Sequence, residues 1–123
     1  MGFISARTHG IVDYAAIVWL AITPRLFGFG DASTAVSLAA SLVILLMAIT
    51  TVYPLGLLRF LPLGGHLAMD YVLGGLMLAS PWLFGFSPLD PGGPFLVGAG
   101  VSVLATALMT AHTRRHRRML MPA

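Results

Sequence analysis

The sequence predicts an all-α membrane protein in which four transmembrane helices are built from two parallel tandem two-helix repeats. Its 123 residues are 58% hydrophobic and only 9% charged, and the mean hydropathy is +0.92. A water-soluble domain of this size needs far more charge on its surface. The apolar residues fall into four stretches, and one sequence pattern occurs twice. The length suits a single membrane domain, residues 1–123.

The repeated pattern begins with His-x-x-x-Asp-Tyr and ends with LFGF. Residues 9–29 read HGIVDYAAIVWLAITPRLFGF, and residues 66–86 read HLAMDYVLGGLMLASPWLFGF. Such self-similarity indicates a duplicated structural unit. Because the first apolar run recurs in mid-chain, we expect it to be a retained helix and not a cleaved signal peptide. After LFGF the second copy has two extra loop residues, and the corresponding pairs are Asp31 with Asp90 and Thr51 with Thr110.

The first repeat, residues 8–53, holds two predicted helices. Helix 1 runs from about Thr8, a favoured N-cap residue, to about Phe27, where a glycine provides the C-terminal stop. Helix 2 runs from about Ser33 to about Val52, before a Tyr-Pro pair that ends it. A helix of about 19 residues is about 28 Å long, which matches the hydrocarbon core of a bilayer.

The second repeat, residues 66–112, holds the other two. Helix 3 copies helix 1 and runs from about His66 to about Phe84. Helix 4 runs from about Pro94, a residue favoured in the first turn, to about His112. Outside the repeats we expect an interfacial linker at residues 54–65 and a basic cytoplasmic tail at residues 113–123.

The arginines predict the orientation of the chain. Four spans place both termini and the linker on one side of the membrane. That side carries six arginines and the other side carries Arg25. This bias predicts that both termini are cytoplasmic, and that a pseudo-two-fold axis along the membrane normal relates the repeats. The six are Arg7, Arg59, Arg114, Arg115, Arg117 and Arg118, and we expect the last four to bind anionic lipid headgroups rather than nucleic acid.

The polar residues inside the predicted helices are the candidates for chemistry. A carboxylate within the membrane is costly and is often functional. In each repeat a His precedes an Asp by four residues, so both side chains lie on one helix face. Because the repeats are parallel, we expect the two His–Asp pairs to lie at the same depth. The candidate polar or ligand cluster comprises His9, Asp13, Tyr14, His66, Asp70, Tyr71 and the linker residue Arg59.

Three interpretations of this cluster remain open. In the favoured one, the His and Asp side chains satisfy each other and hold the repeats together, without a cofactor. Alternatively, His9 and His66 are axial ligands of haem b, or both His–Asp pairs hold a divalent metal. The second alternative is a proton or ion path, although the polar residues cluster at one end of the helices. No catalytic residues are predicted, and the absence of cysteine excludes thiolate chemistry.

One tripeptide carries a resemblance to a known family. Ser80-Pro81-Trp82 precedes LFGF in the second repeat, after the His-x-x-x-Asp-Tyr start. The chain therefore resembles the SPW-repeat family of small bacterial membrane proteins, from His9 to about Thr110. The first repeat departs from the motif and reads Thr23-Pro24-Arg25. The resemblance implies two-helix repeats and a multi-pass protein of the bacterial inner membrane.

The predicted function is that of a non-enzymatic structural or accessory subunit of a membrane assembly. Its expected partners are the lipid bilayer and other membrane subunits, or further copies of the chain, and not nucleic acid. Small residues at four-residue spacing are typical of close helix packing in lipid. They are Ser33, Ser37 and Ser41 on helix 2, and Gly98, Ser102, Thr106 and Thr110 on helix 4.

Overall fold

A computed structural model describes residues 4–52 and 54–120 of the chain. Within these ranges the chain forms four α-helices, which confirms the predicted fold class. Three of them, α1, α2 and α4, are long and apolar enough to cross a membrane. The remaining helix, α3, is also long and apolar, and it carries three residues of the candidate cluster, His66, Asp70 and Tyr71. The helices are α1 Ala6–Phe27, α2 Asp31–Thr50, α3 Leu63–Leu83 and α4 Gly92–Leu120.

The first helix begins earlier than predicted because another residue caps it. The side-chain oxygen of Ser5 accepts a hydrogen bond from the backbone N–H of Thr8 at 3.2 Å. Thr8 is therefore a helical residue whose amide is capped, and not the N-cap itself. The helix ends at Gly28 in the left-handed conformation, with φ 65°, as a C-terminal glycine allows.

The last helix extends further than predicted. It contains 29 residues, or about 44 Å at the helical rise, against a hydrocarbon core of about 30 Å. The basic segment after His112 is therefore helical through Leu120, because arginine favours helices and no proline or glycine interrupts it. The final three residues, 121–123, and Tyr53 at the predicted end of helix 2 lie outside the described residues.

The two repeats run parallel to each other, as predicted. His9 and His66 approach within 3.3 Å at the beginnings of α1 and α3. At the opposite end, the side chain of Ser33 in α2 contacts Asp90, which precedes α4. Within each repeat the two helices pack as an antiparallel pair. Apolar side chains fill the centre, and this core contains Leu20, Ala40, Ile44, Met77 and Leu96.

The two helix pairs are held together by different kinds of contact. In the first, Ser41 of α2 donates a hydrogen bond to the backbone carbonyl of Ile17 at 2.8 Å. The corresponding residue of the second pair is Gly100, and a Cβ there would lie 2.7 Å from the carbonyl oxygen of Gly74. A hydroxyl therefore joins α1 to α2, whereas α3 and α4 approach so closely that only hydrogen fits.

Candidate functional site: a buried His–Asp cluster between the repeats

Four side chains converge near the beginnings of α1 and α3. They are His9, Asp13, His66 and Asp70, and we call them the His–Asp cluster. Both histidines are fully buried, and the two aspartates are 7% and 3% exposed. One ligand atom from each residue can be chosen so that all four atoms lie within 4.8 Å of one another.

The shortest contacts between histidine and aspartate in the cluster cross from one repeat to the other. His9 Nε2 lies 3.0 Å from Asp70 Oδ2, and His66 Nε2 lies 3.0 Å from Asp13 Oδ2. Within each repeat, the corresponding distances from Nε2 to the carboxylate are 3.4 Å. The His and Asp of one helix, placed on one face by their four-residue spacing, therefore meet those of the other helix. Each imidazole contacts both carboxylates.

Two threonines orient the imidazole rings. His9 Nδ1 lies 2.8 Å from the Thr110 hydroxyl, and His66 Nδ1 lies 2.6 Å from the Thr51 hydroxyl. Both threonines are fully buried, and each belongs to the repeat opposite its histidine. Neither threonine was among the predicted site residues. Their correspondence in the repeat alignment was the signal that could have found them.

These hydrogen bonds define which ring nitrogen carries a proton. The hydroxyl of Thr110 donates to the carbonyl of Thr106, and that of Thr51 donates to the carbonyl of Met47. Each hydroxyl has one proton, so it accepts from the histidine and the Nδ1 atom is the donor. Both Nε2 atoms consequently face the centre of the cluster, 3.3 Å apart.

The cluster needs positive charge at its centre. When both carboxylates are ionised and both imidazoles are neutral, four electron-rich atoms face one another. Two protons on the Nε2 atoms or one divalent cation would balance the charge. Asp13 Oδ2 is buried, and among the described residues no donor meets it with hydrogen-bond geometry, even though an imidazole nitrogen lies nearby.

The other three predicted residues lie apart from these contacts. Tyr14 donates a hydrogen bond to the carbonyl of Leu55 in the linker at 3.0 Å. Arg59 adopts a left-handed backbone with φ 50°, and its guanidinium donates to two linker carbonyls, those of Gly56 and Pro54. Arg59, a predicted member of the cluster, therefore makes its hydrogen bonds within its own turn. Tyr71 is half-buried beside the cluster.

A groove of about 450 Å³ leads from the cluster along the seam between α1 and α4. His9, Asp13 and Asp70 line one end of it, and mainly apolar side chains line the rest. The hydroxyls of Ser102 and Thr106 also border the groove, and each donates to a carbonyl of its own helix. Most of the predicted small-residue face of α4, namely Gly98, Ser102 and Thr106, thus borders an open seam, while Thr110 is buried beside His9. Of the α2 serines, two donate to α1 carbonyls, and Ser33 is buried beside Asp90.

A second polar contact joins the repeats at the opposite end of the molecule. The Asp90 carboxylate accepts from the Ser33 hydroxyl at 2.6 Å and from the backbone N–H groups of Gly92 at 2.8 Å and Gly30 at 3.2 Å. Burial opposes ionisation, but these three donors hold the pKa of Asp90 below its ordinary value. Asp31, the corresponding residue of the first repeat, is exposed.

The geometry bears on the haem alternative. Axial ligands of a haem lie on opposite faces of a flat macrocycle. Here the two Nε2 atoms are 3.3 Å apart, the rings are edge to face at 80°, and the carboxylates contact both nitrogens. The space between the imidazoles suits a single ion and not a macrocycle.

The arginines that are predicted to bind lipid headgroups lie at the end of the bundle that contains the His–Asp cluster. They lie on the last turns of α4, in the part that exceeds the hydrocarbon thickness. A helix of this length carries them to the membrane surface at the end where α1 and α3 begin. They are Arg114, Arg115, Arg117 and Arg118.

Comparison with known proteins gives one match. A family model described as the SPW repeat domain matches residues 7–111. No curated protein and no solved structure matches the chain. The matched range begins just before the cluster histidine of the first repeat and ends just after the threonine that binds it.

Proposed function

The chain belongs to the SPW repeat family of membrane proteins, and from that premise we propose that it is a non-enzymatic structural protein, an accessory subunit of a membrane assembly or of a homo-oligomer. The observation that supports this most directly is the exchange of partners between repeats. Each buried imidazole contacts a threonine and a carboxylate of the opposite repeat. The cluster therefore acts as a lock that joins the two helix pairs, in addition to their shared core and the contact at Asp90.

A lock of this kind is needed because lipid supplies no hydrophobic force between helices. Packing and interhelical hydrogen bonds hold membrane helices together instead. The central core of the bundle is small, and most large apolar side chains face outward. The polar contacts at both ends, at the His–Asp cluster and at Asp90, hold the two pairs in register.

The open seam supports the proposed association with other subunits. Gly98 and Ser102 are exposed on α4, and a Cβ at Gly98 would meet nothing within 4 Å. Small exposed residues on a transmembrane helix allow another helix to approach closely. We place this assembly in the bacterial inner membrane with both termini in the cytoplasm, since six of the seven arginines lie at the cluster end.

The structural role is tested by removing one hydroxyl that crosses between repeats. Thr110→Val should lower the free energy of unfolding in detergent by about 0.6 kcal/mol, and by no more than about 1.7 kcal/mol. Thr106→Val is the matched control, because that hydroxyl binds only its own helix. Both variants are measured after treatment with a chelator. If both substitutions lowered the free energy of unfolding equally, the proposal that the cluster joins the repeats would be contradicted.

Association is tested on particles extracted directly from membranes into lipid nanodiscs. The protein mass per particle should exceed the 13.0 kDa of one chain, because the exposed seam packs against another subunit. If the particles contained a single chain under all extraction conditions, the accessory role would be contradicted. The proposed lock between the repeats, which lies within one chain, would not be affected by that result.

A further inference from the structure

We propose that the His–Asp cluster is a four-coordinate site for a divalent transition-metal ion such as Zn²⁺. This inference rests on the proposed structural role and assigns to that role a ligand, which joins α1 to α3. The donor set would be two imidazole nitrogens and two carboxylate oxygens, one pair from each repeat.

The distances among the ligand atoms suit a tetrahedral ion. Bonds of about 2.0–2.2 Å to nitrogen and oxygen place tetrahedral ligand atoms about 3.3–3.6 Å apart. The two Nε2 atoms are 3.3 Å apart, and Asp70 Oδ2 lies 3.0 Å from that of His9 and 3.4 Å from that of His66. The Asp13 carboxylate presents Oδ2 to His66 at 3.0 Å and Oδ1 to His9 at 3.4 Å. One ligand atom from each residue lies within 4.8 Å of the other three, so an ion at the centre would draw one Asp13 oxygen inward.

The hydrogen bonds around the cluster prepare the histidines as ligands. A metal-bound histidine usually donates its second ring N–H to a neighbouring acceptor, which fixes the tautomer and the ring orientation. Thr110 and Thr51 are such acceptors, because each hydroxyl commits its own proton to a helix carbonyl. Both Nε2 lone pairs are thereby directed to the centre.

The charges and the unsatisfied oxygen favour a cation over two protons. Two imidazolium groups would place like charges 3.3 Å apart, whereas one divalent ion accepts both nitrogen lone pairs and neutralises both carboxylates. Asp13 Oδ2 is buried without a hydrogen-bond donor among the described residues, and it faces the centre. The same side chain borders the groove, which provides access to the cluster.

The donor types indicate the class of metal. Imidazole and carboxylate together suit Zn²⁺ and its first-row neighbours, while a hard ion such as Mg²⁺ or Ca²⁺ prefers an all-oxygen site. With four protein ligands and no exposed histidine in the set, the site resembles structural rather than catalytic zinc centres. The ion would stabilise the contact between repeats.

Metal content tests the proposal on the intact chain. The protein is purified in lipid nanodiscs without chelators, and bound metals are measured by mass spectrometry. We expect about one ion per chain in the wild type and in Asp31→Asn, an exposed carboxylate outside the cluster. Asp70→Asn and His66→Asn should each retain less than about a tenth of that amount.

Cobalt provides a second measurement that does not depend on the variants. Chelated wild-type protein is titrated with Co²⁺, which absorbs strongly in the visible range when it is tetrahedral. Thr51→Val should weaken Co²⁺ binding about 10–100-fold, while circular dichroism checks that the helices are retained. A wild type that contains no metal in native nanodiscs and takes up neither Zn²⁺ nor Co²⁺ would overturn the metal site. That result would leave the comparison of Thr110→Val with Thr106→Val in chelated protein unaffected, so the lock and the ion are tested separately.

Discussion

Single residues show how a duplicated sequence forms an asymmetric molecule. Asp90 accepts three hydrogen bonds between the repeats, while its counterpart Asp31 is exposed. The reason lies two residues further along each copy, where the first repeat has Ser33 and the second has Gly92. A Cβ at Gly92 would lie 2.4 Å from the Cβ of Ser33. One serine and one glycine thus share a space that two serines could not, and only one aspartate gains a hydroxyl donor.

Asp90 makes the stability of the fold depend on pH. Its pKa in the folded chain is below the ordinary value of 3.8, so its ionised form stabilises the fold. That contribution is complete above pH about 3.8 and is lost as the pH falls through the lower, folded-state pKa. Asp90→Asn should therefore be less stable than the wild type at neutral pH, and the difference should shrink in acid.

The measurement is the free energy of unfolding of both proteins between neutral pH and about pH 3. Ser33→Ala serves as a control, because it removes one donor and leaves the carboxylate in place. A difference between Asp90→Asn and the wild type that stays constant over this range would contradict the assignment.

Helices pack by two different rules in the two repeats. Serine hydroxyls of α2 donate to α1 carbonyls, whereas α3 and α4 meet through glycine. A hydroxyl bridge tolerates a wider spacing between helix axes, and a glycine contact requires the closest one. Hydropathy treats both pairs alike, so this difference appears only when the helices are placed together.

Gly100→Ala should disrupt the contact between α3 and α4. The new Cβ would lie 2.7 Å from both a carbonyl oxygen and a backbone nitrogen of α3, neither of which can move without shifting the helix. Overpacking of this kind costs about 1–3 kcal/mol. In the single chain without a packed partner, Gly98→Ala, on the same helix but with open space around its Cβ, should be neutral or slightly stabilising.

Unfolding titrations of both variants in one detergent provide the comparison. The measured quantity is the change in the free energy of unfolding relative to the wild type. Equal stability of Gly100→Ala and Gly98→Ala would show that α3 and α4 do not approach as closely as the structure indicates.

The whole molecule has two unlike ends. One end carries the His–Asp cluster, the beginning of α1, the end of α4 and six arginines, while the other carries Asp90 and Arg25. The bundle is thus charged asymmetrically along its long axis. The positive-inside rule predicts from this asymmetry that the arginine-rich end is retained in the cytoplasm.

Reporter fusions test this orientation. A reporter that is active only in the cytoplasm should function after Ala123 and should be inactive within the loop between α3 and α4, at residues 87–91. A reporter that is active only outside the cytoplasm should show the reverse. Replacement of Arg25 by Gln is a control that should leave both signals unchanged. A C-terminus outside the cytoplasm would contradict the predicted topology.

The sequence by itself determined the four long apolar helices, the parallel repeats and the matching positions of the polar residues in the two copies. These properties follow from hydropathy and spacing along one chain, and a constant offset places His9 and His66 at matching positions. It could not determine that each histidine binds the threonine of the opposite repeat, or that Arg59 stays within the linker.

Those contacts were decided only by the tertiary structure, because they depend on which helices are neighbours and on how closely they approach. A repeat specifies two similar helix pairs, but their relative rotation is set by local packing, such as the serine at position 33 against the glycine at position 92. The four-residue spacing brings His and Asp to one face of each helix. The two faces form one four-residue cluster only when α1 packs against α3. The imidazole nitrogens then approach within 3.3 Å, and this distance is a property of the assembled bundle.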